Sequence, residues 1–473
     1  MSAYNPVTPD DIRALVRIVG PAHVVWKDAE KLEACSHDET PDRRWAHMPE
    51  AVVRPRSADE IADVLKLANR RRIPVTPRGA GSGLSGSAVP LHGGIVLHLD
   101  RMNRILEVDR ENMVVVVEPG VVTNEINEAL RPAGLFYPGY PMSLESCHIG
   151  GNVAMNAGGA KAVKYGVTGR YVLGLDVVTP SGEVVQLGGK RVKDVTGYDL
   201  IQLMVGSEGT LGVFTRITLR LLPLPRASAD LLCAFRSVAE AVRAVPRMMT
   251  RGAVIPAAIE FMDRDALRAA AEYLNEPPAA PDAEAVLLVT VEGASVEAVE
   301  RDYDALGREV LAAGAIEVFV ADNRATSERV WRLRRNVSEA LSLLSRNQSN
   351  EDIVVPVAEI PRLVEGVQAL SRKWGLFMPC FGHAGDGNMH VRIVMDPAWT
   401  MERWNTALPE VLKELYLLTA ALGGTISGEH GIGHKRKAYV PLVLSEAHLN
   451  LMRAVKRALD PHNILNPGKK FDL

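Results

Sequence analysis

The sequence predicts an α+β protein of more than one domain, on three observations. Its 473 residues exceed what one hydrophobic core comfortably serves. Residues 79–222 read as short apolar strands between glycine-dense loops, and residues 230–400 alternate strand-like runs with amphipathic helices, the pattern of a mainly antiparallel sheet.

Taken in order, Thr8, Pro9 and Asp11 stand where an N-cap, a first-turn proline and a capping-box acid start a helix. That start leaves no room for a basic and then apolar leader, so the N-terminus reads as mature structure. Ala51 to Arg54 is a short strand, Ser57 caps a helix reaching Asn69, and Ile73 to Pro77 begins another strand, a βαβ opening. Strands follow at Ile95 to Leu99, Met113 to Glu118, Val172 to Thr179 and Leu211 to Leu222. Pro223 and Pro225 then mark a boundary, because proline cannot donate to a continuing ladder, and a second domain is expected from about Arg226. There, strands at Leu231 to Phe235, Val286 to Val291, Ile316 to Val320, Ile353 to Val357 and Val391 to Val394 alternate with helices at Ser237 to Thr250, Val296 to Ala313 and Glu359 to Trp374. Asn275 to Pro281, with Pro277, Pro278 and Pro281, reads as an exposed loop within that domain.

Composition narrows the function. Hydrophobic residues make up 47% and charged residues 23%, and no stretch approaches the ~20 apolar residues of a membrane span. With 54 Lys and Arg against 57 Asp and Glu, the net charge of -3 gives no electrostatic reason to expect nucleic acid or an acidic membrane. A small-molecule partner is expected. Cys35, Cys147, Cys233 and Cys380 form no close pair, which fits a reducing cytoplasm and excludes a thiolate-held iron–sulfur cluster within the chain.

Three glycine-rich segments carry the first chemistry. In Pro77-Arg78-Gly79-Ala80-Gly81-Ser82-Gly83-Leu84-Ser85-Gly86, small side chains leave backbone N–H groups open to a diphosphate. The segment lacks the Gly-Lys-Ser/Thr ending of a P-loop and the spacing of a Rossmann fingerprint. In Ser146 to Gly159, glycine pairs alternate with Asn and Ala, a composition that admits a planar polar ring system. Gly206-Ser207-Glu208-Gly209-Thr210-Leu211-Gly212 is the third.

Through these segments the sequence resembles the vanillyl-alcohol oxidase and p-cresol methylhydroxylase superfamily of FAD proteins. Gly382-His383-Ala384-Gly385-Asp386-Gly387-Asn388-Met389-His390, Gly428-Glu429-His430-Gly431-Ile432-Gly433 and Asn463 to Lys469 are similar to the branch that holds D-lactate dehydrogenase, the glycolate oxidase flavoprotein subunit and D-2-hydroxyglutarate dehydrogenase. The resemblance implies a two-subdomain FAD-binding domain at 46–225, after an N-terminal helical segment at 1–45. It further implies an α+β substrate (cap) domain at 226–420 and a C-terminal segment, 421–473, that completes the metal and FAD sites. It implies that Arg78, Gly79, Ala80, Gly81, Ser82, Gly83 and Gly86 hold the FAD diphosphate. Pro138, Ser143, Gly150, Asn152, Asn156, Gly158 and Gly159 would line the ring and ribityl chain, with Glu208 and Asn466 completing the site. The diphosphate loop has no histidine or cysteine, so non-covalent FAD is expected. Cys147 and His148 are expected to pack or hydrogen-bond beside the flavin rather than anchor it.

The last third holds His383, His390, His430 and His434 beside Glu429. On a strand from Met389 to Val394, His390 and Arg392 share one face. Loop histidine, strand histidine and distant carboxylate are the N/O donors of an open divalent site for Zn, Fe or Mn. With the resemblance, His383, His390 and Glu429 are the expected ligands, and His430, left unligated, the expected general base. His434 is expected to be supporting or structural. Arg334, with Ser338 one turn later, is a candidate fork for the substrate carboxylate, and Arg392 joins His430 and Arg334 in the candidate catalytic set.

Together these readings give an enzyme that passes a hydride from a D-2-hydroxy acid to flavin. The resemblance implies that relatives handling 2-hydroxyglutarate carry Arg, Thr and Lys across residues 334–352; here Ser338 replaces the threonine and Ser349-Asn350-Glu351-Asp352 offers no lysine. D-lactate is therefore the expected substrate, with glycolate or D-2-hydroxyglutarate dehydrogenase, or the flavoprotein subunit of a larger electron-transfer complex, as alternatives. With no cluster and no nicotinamide fingerprint, electrons are expected to leave to a quinone or an acceptor protein, either an iron–sulfur subunit or an electron-transfer flavoprotein. Any attachment to a membrane would be peripheral, through that partner.

Overall fold

In a computed structural model, residues 4–277 and 280–473 are described, and the chain divides into two compact units. The first comprises Met1–Ala157, Val167–Leu224 and Glu429–Leu473, the second Gly158–Gly166 and Pro225–Gly428.

In the first unit the capping box forms as the sequence requires: Thr8 accepts from the Asp11 N–H and Asp11 accepts from the Thr8 N–H. Ile12, Leu15 and Val19, at helical spacing on Pro9–Val19, are buried. The Ser57 side chain accepts from the Glu60 N–H and starts helix Ala58–Arg71, which Arg72 ends in the left-handed region. These helices pack with a sheet ordered Val24–Trp26, Ala51–Val53, Ile95–His98, Val75–Arg78, parallel except at its first strand. The chain's last segment returns to the edge of this sheet: the Val75 N–H donates to the Ile464 carbonyl (2.8 Å) and the Asn466 N–H to the Val75 carbonyl (2.7 Å). A second, antiparallel sheet runs Ile105–Asp109, Val114–Val117, Val213–Arg220, Val172–Val178, Val184–Gly188.

The second unit is a seven-stranded sheet ordered Ala315–Ala321, Ala227–Phe235, Ala285–Gly293, Ala258–Asp263, Cys380–His383, Asn388–Val394, Gln348–Val354, with every pairing antiparallel. Amphipathic helices, among them Val238–Arg251, Arg264–Leu274 and Arg324–Ser342, bury their apolar stripes in this unit. Among the described residues no helix is long and apolar enough to cross a membrane.

Several expectations are corrected. The strand expected at Ile353 to Val357 is Gln348–Val354, and Val357–Glu359 is a 3-10 turn, because Pro356 cannot donate to the ladder. Ser146 to Gly159 is not all loop: Ile149–Met155 is helical and ends at left-handed Asn156. Gly150 serves packing there, since a Cβ would lie 2.5 Å from that of Pro119. The units divide at Leu224–Pro225, and residues 158–166, expected in the FAD-binding domain, group with the second unit because Lys161, Lys164 and Tyr165 all converge on the buried Glu292 carboxylate. Residues 421–428 also belong to that unit, and the chain returns to the first only at Glu429. Of the expected loop at Asn275 to Pro281, Pro278 and its neighbour Ala279 lie outside the described residues.

Candidate active site

The glycine loop after Val75–Arg78 meets an elementary test for an anion cradle. Among the described residues, no protein acceptor meets the backbone N–H groups of Ala80 to Ser85, whereas Gly86 N–H is held by Asp38 Oδ2 at 2.7 Å. A run of unsatisfied donors on small residues is what a diphosphate requires, so the residues fit FAD here. Arg78 serves the loop from within: its guanidinium donates to the carbonyls of His37 (2.7 Å) and Ala34 (3.3 Å). Gly81 has φ +79°, and a Cβ there would collide with that guanidinium. Gly81→Val is therefore expected to displace Arg78, distort the loop and give protein largely free of flavin, measured as the 450 nm to 280 nm absorbance ratio after purification. A full flavin complement would contradict this.

The residues expected around the flavin are held by short-range bonds. Asn152 Nδ2 donates to Thr123 Oγ1 (2.6 Å), Asn156 Oδ1 accepts from the Gly169 N–H (2.9 Å), and the Ser143 carbonyl accepts from Ser146 and Cys147. Pro138 is buried beside Tyr137, while Gly158 and Gly159 fall in the second unit. Cys147 is buried, with Sγ 3.4 Å from Thr123 Oγ1, and burial lowers the His148 pKa.

Glu208 and Asn466 tie the first unit's loops together. Glu208, itself at φ +56°, accepts from Ser87 Oγ (2.6 Å), Ile432 N–H (3.0 Å), Gly433 N–H (2.7 Å) and Lys470 Nζ (3.0 Å). Burial opposes its ionisation, but Lys470 and these donors outweigh burial and hold its pKa below the usual value. Asn466 Nδ2 bridges the carbonyls of Ser87 (2.9 Å) and Glu208 (2.7 Å). The carboxylate thus fixes the backbone that directly follows His430. A Cβ on Gly431 would strike Met155, and one on Gly433 the Ser85 carbonyl, so this turn needs both glycines. His434 packs edge-on against Trp45, in keeping with a structural role.

The second unit carries a stripe of paired polar residues on its sheet. In register, Glu260 faces His383, Asp352 faces His390 and Asn350 faces Arg392. All six are buried. Polar groups at such positions are costly unless partnered, and most of these have a partner within the protein. Glu260 Oε1 lies 2.7 Å from His383 Nδ1 and Oε2 2.6 Å from Arg334 Nη2. Burial would raise the Glu260 pKa, but Arg334 and His383 together hold it below its usual value. With Nδ1–H donating to this carboxylate, His383 presents a lone pair at Nε2, the tautomer that a metal-ligating histidine takes.

Asp352 accepts from Asn388 Nδ2 (2.7 Å), Ser427 Oγ (2.7 Å) and the Gly428 N–H (2.9 Å), with His390 Nδ1 3.9 Å away. It thereby grips the end of the segment from which the chain runs straight into Glu429 and His430, whose side chains lie 3.6 Å apart. Neither Asp352 nor Glu260 was singled out from sequence; the available signal was an acid on a strand of otherwise buried residues.

The two arginines differ. Arg334, expected as a free fork, is already paired with Glu260 and lies over the Phe381 ring, so its charge is matched within the protein. Arg392 donates to Gln348 Oε1 (3.0 Å), Ser338 Oγ (2.7 Å) and the Ser338 carbonyl (3.2 Å). Burial pulls its pKa down to about 10, against the opposing pull of Glu339 and Glu351.

A fold of this topology with an open glycine cradle defines a flavin-binding oxidoreductase. Residues 49–188 match the model for the FAD binding domain, and residues 224–470 that for the C-terminal domain of FAD linked oxidases; the chain belongs to this family. Among its relatives, the glycolate oxidase subunit GlcD of Bacillus subtilis is 38% identical over 98% of this chain and 97% of its own. The D-lactate dehydrogenase of Anaerostipes hadrus is 37% identical over 98% of each chain. The D-2-hydroxyglutarate dehydrogenase of Xanthomonas citri pv. viticola is 35% identical over 91% of each. Among solved structures, p-cresol methylhydroxylase with substrate bound has a TM-score of 0.81 at 18% identity over 98% of each chain. The 4-ethylphenol oxidase of Gulosibacter chungangensis has a TM-score of 0.78 at 20% identity over 99% of each. The chain therefore shares the fold of p-cresol methylhydroxylase and 4-ethylphenol oxidase, and it is an FAD-linked oxidoreductase.

Proposed function

We propose that this chain is a metal-assisted dehydrogenase that oxidises a D-2-hydroxy acid to the 2-oxo acid with non-covalently bound FAD as the hydride acceptor. The observation that carries the reading is the buried polar stripe: two histidines, each beside a carboxylate, on neighbouring strands of the sheet. The similarity to 2-hydroxy-acid enzymes supports it.

Asp352, His390, Glu429 and His430 have the N/O donor chemistry that divalent ions take. His383, whose tautomer Glu260 sets, adds another imidazole. We assign the ligands to His383, His390 and Glu429. Asp352, already engaged by three donors, orients Ser427 and Gly428 ahead of Glu429. A divalent ion held there would supply a Lewis acid for the substrate hydroxyl. The His430 imidazole accepts the hydroxyl proton at a ring nitrogen, and the Glu208 carboxylate keeps the backbone after it in place. FAD supplies the acceptor for the α-hydrogen.

With no lysine in Ser349–Asp352, D-lactate is the substrate that the sequence favours. The acceptor that would reoxidise the cofactor is a quinone or a protein, an iron–sulfur subunit or an electron-transfer flavoprotein.

The test is anaerobic mixing of the purified, FAD-loaded protein with D- and L-2-hydroxy acids while flavin absorbance is followed. Bleaching by a D-2-hydroxy acid is expected; no bleaching by any member of the panel would reject the reading. Acid precipitation is expected to release all flavin into the supernatant, because the diphosphate loop has no histidine or cysteine. Flavin left on the pellet would show a covalent link. Adding NAD⁺ to the reduced enzyme is expected to give no NADH.

A further inference from the structure

We infer that Arg392 anchors a second carboxylate on the substrate, so that the preferred substrates are 2-hydroxydicarboxylates rather than D-lactate. The inference rests on the reading of the chain as a 2-hydroxy-acid dehydrogenase, and it reverses the substrate expected from the missing lysine.

Arg392 is 2% exposed, and its protein partners, Gln348 and Ser338, are all neutral acceptors. Among the described residues it has no ion pair, and its Nε–H meets no acceptor. Arg334, equally buried, has Glu260. Glu339 and Glu351 act on it only from beyond ion-pair distance, and a buried guanidinium with no carboxylate in contact is less favourable in the free enzyme than once a ligand brings the anion. Gln348 and Ser338 hold the group in one orientation, so the fork is pre-set rather than floppy.

Its place on the strand says which carboxylate it meets. His390 and Arg392 are two residues apart on one face of Asn388–Val394, about 6.6–6.8 Å along the strand. The reacting end of the substrate belongs beside His390, where the histidines and acids gather. A group met by Arg392 lies one strand repeat further on, the reach of a four- or five-carbon diacid and beyond that of D-lactate. Asn350 stands across from Arg392 in the register. The cation missing from Ser349–Asp352 is thus supplied by the neighbouring strand, which a search of that stretch alone could not find.

The experiment measures kcat/KM for D-lactate, D-malate and D-2-hydroxyglutarate with wild type, Arg392→Gln and Arg392→Lys, alongside thermal melts of the FAD-loaded proteins with and without glutarate, which has no hydroxyl to oxidise. Wild type is expected to prefer a diacid. Arg392→Gln should lower the ratio of diacid to D-lactate kcat/KM by about 10–100-fold, chiefly through KM, the value of one charge-assisted pair. Arg392→Lys should keep part of the preference. Glutarate should raise the melting temperature of wild type and of Arg392→Lys but not of Arg392→Gln. Since Arg392→Gln removes a buried charge that has no ion-pair partner, its unliganded melt and FAD content should not fall; if it nevertheless fails to fold, the lysine variant and the wild-type glutarate shift carry the test. A wild type that favours D-lactate, or an Arg392→Gln enzyme that loses equal activity on all three acids, overturns the inference. If no 2-hydroxy acid bleaches the flavin while glutarate still distinguishes wild type from Arg392→Gln, the reaction is wrong and the carboxylate anchor stands.

Discussion

His430→Ala is expected to slow flavin reduction by a 2-hydroxy acid about 10²–10⁴-fold, the contribution of a positioned general base, while FAD and metal contents stay at wild-type levels. The loop should survive the change, because its geometry depends on backbone: Ile432 and Gly433 N–H groups on Glu208, and the His434 and Lys435 N–H groups on the Ser85 carbonyl. Glu429→Gln should behave differently and lose metal and rate together, since it removes the charge that holds a divalent ion. Metal analysis beside anaerobic stopped-flow bleaching separates the two. A His430→Ala protein depleted of metal would make His430 a ligand, and one that bleaches at the wild-type rate would remove it from the chemistry.

The largest stability effect is expected at Glu260. Glu260→Met leaves Arg334, 3% exposed, as a buried charge without its carboxylate and takes the Nδ1 partner from His383. Breaking a buried pair from one side costs about 3–5 kcal/mol, or roughly 6–20 °C in the melting temperature of a unit of this size. Glu260→Met with Arg334→Met should recover most of that loss, because two apolar side chains then fill the volume of two charges. Circular dichroism melts of the three proteins decide it. A single variant as stable as wild type would mean that the pair is solvated rather than buried.

What the sequence discloses and what it hides divide along physical lines. Caps are local, so Thr8 and Ser57 announce their helices within four residues. The continuous apolar runs within Ala227–Phe235 and Ala285–Gly293 likewise read directly. Helix Ile149–Met155 is hidden because Gly150 and Gly151 lower its propensity, while packing against Pro119 keeps it in place. The histidines and Glu429 stand out through their glycine-rich surroundings. Glu260 and Asp352 do not, since each is a lone acid on a strand whose partner arrives from more than 30 residues away. Arg334 is a case of the same kind: the sequence shows an arginine with Ser338 one helical turn later, and its ion pair with Glu260, on a strand more than 70 residues earlier, becomes visible only in the fold.

The first unit is written in the chain as an interrupted text. Its strand Val75–Arg78 waits for Ile464 and Asn466, almost 400 residues downstream, and Glu208 waits for Ile432 and Gly433. Residues 225–428, together with 158–166, form the other compact unit in between. On the ribosome, therefore, the inserted unit can close while the first is still missing its last strand partner and the donors that neutralise Glu208, so the usual order of synthesis, N-terminal domain first, is inverted. The flavin-binding unit matures last, and a chain stopped before residue 464 leaves it with an open sheet edge.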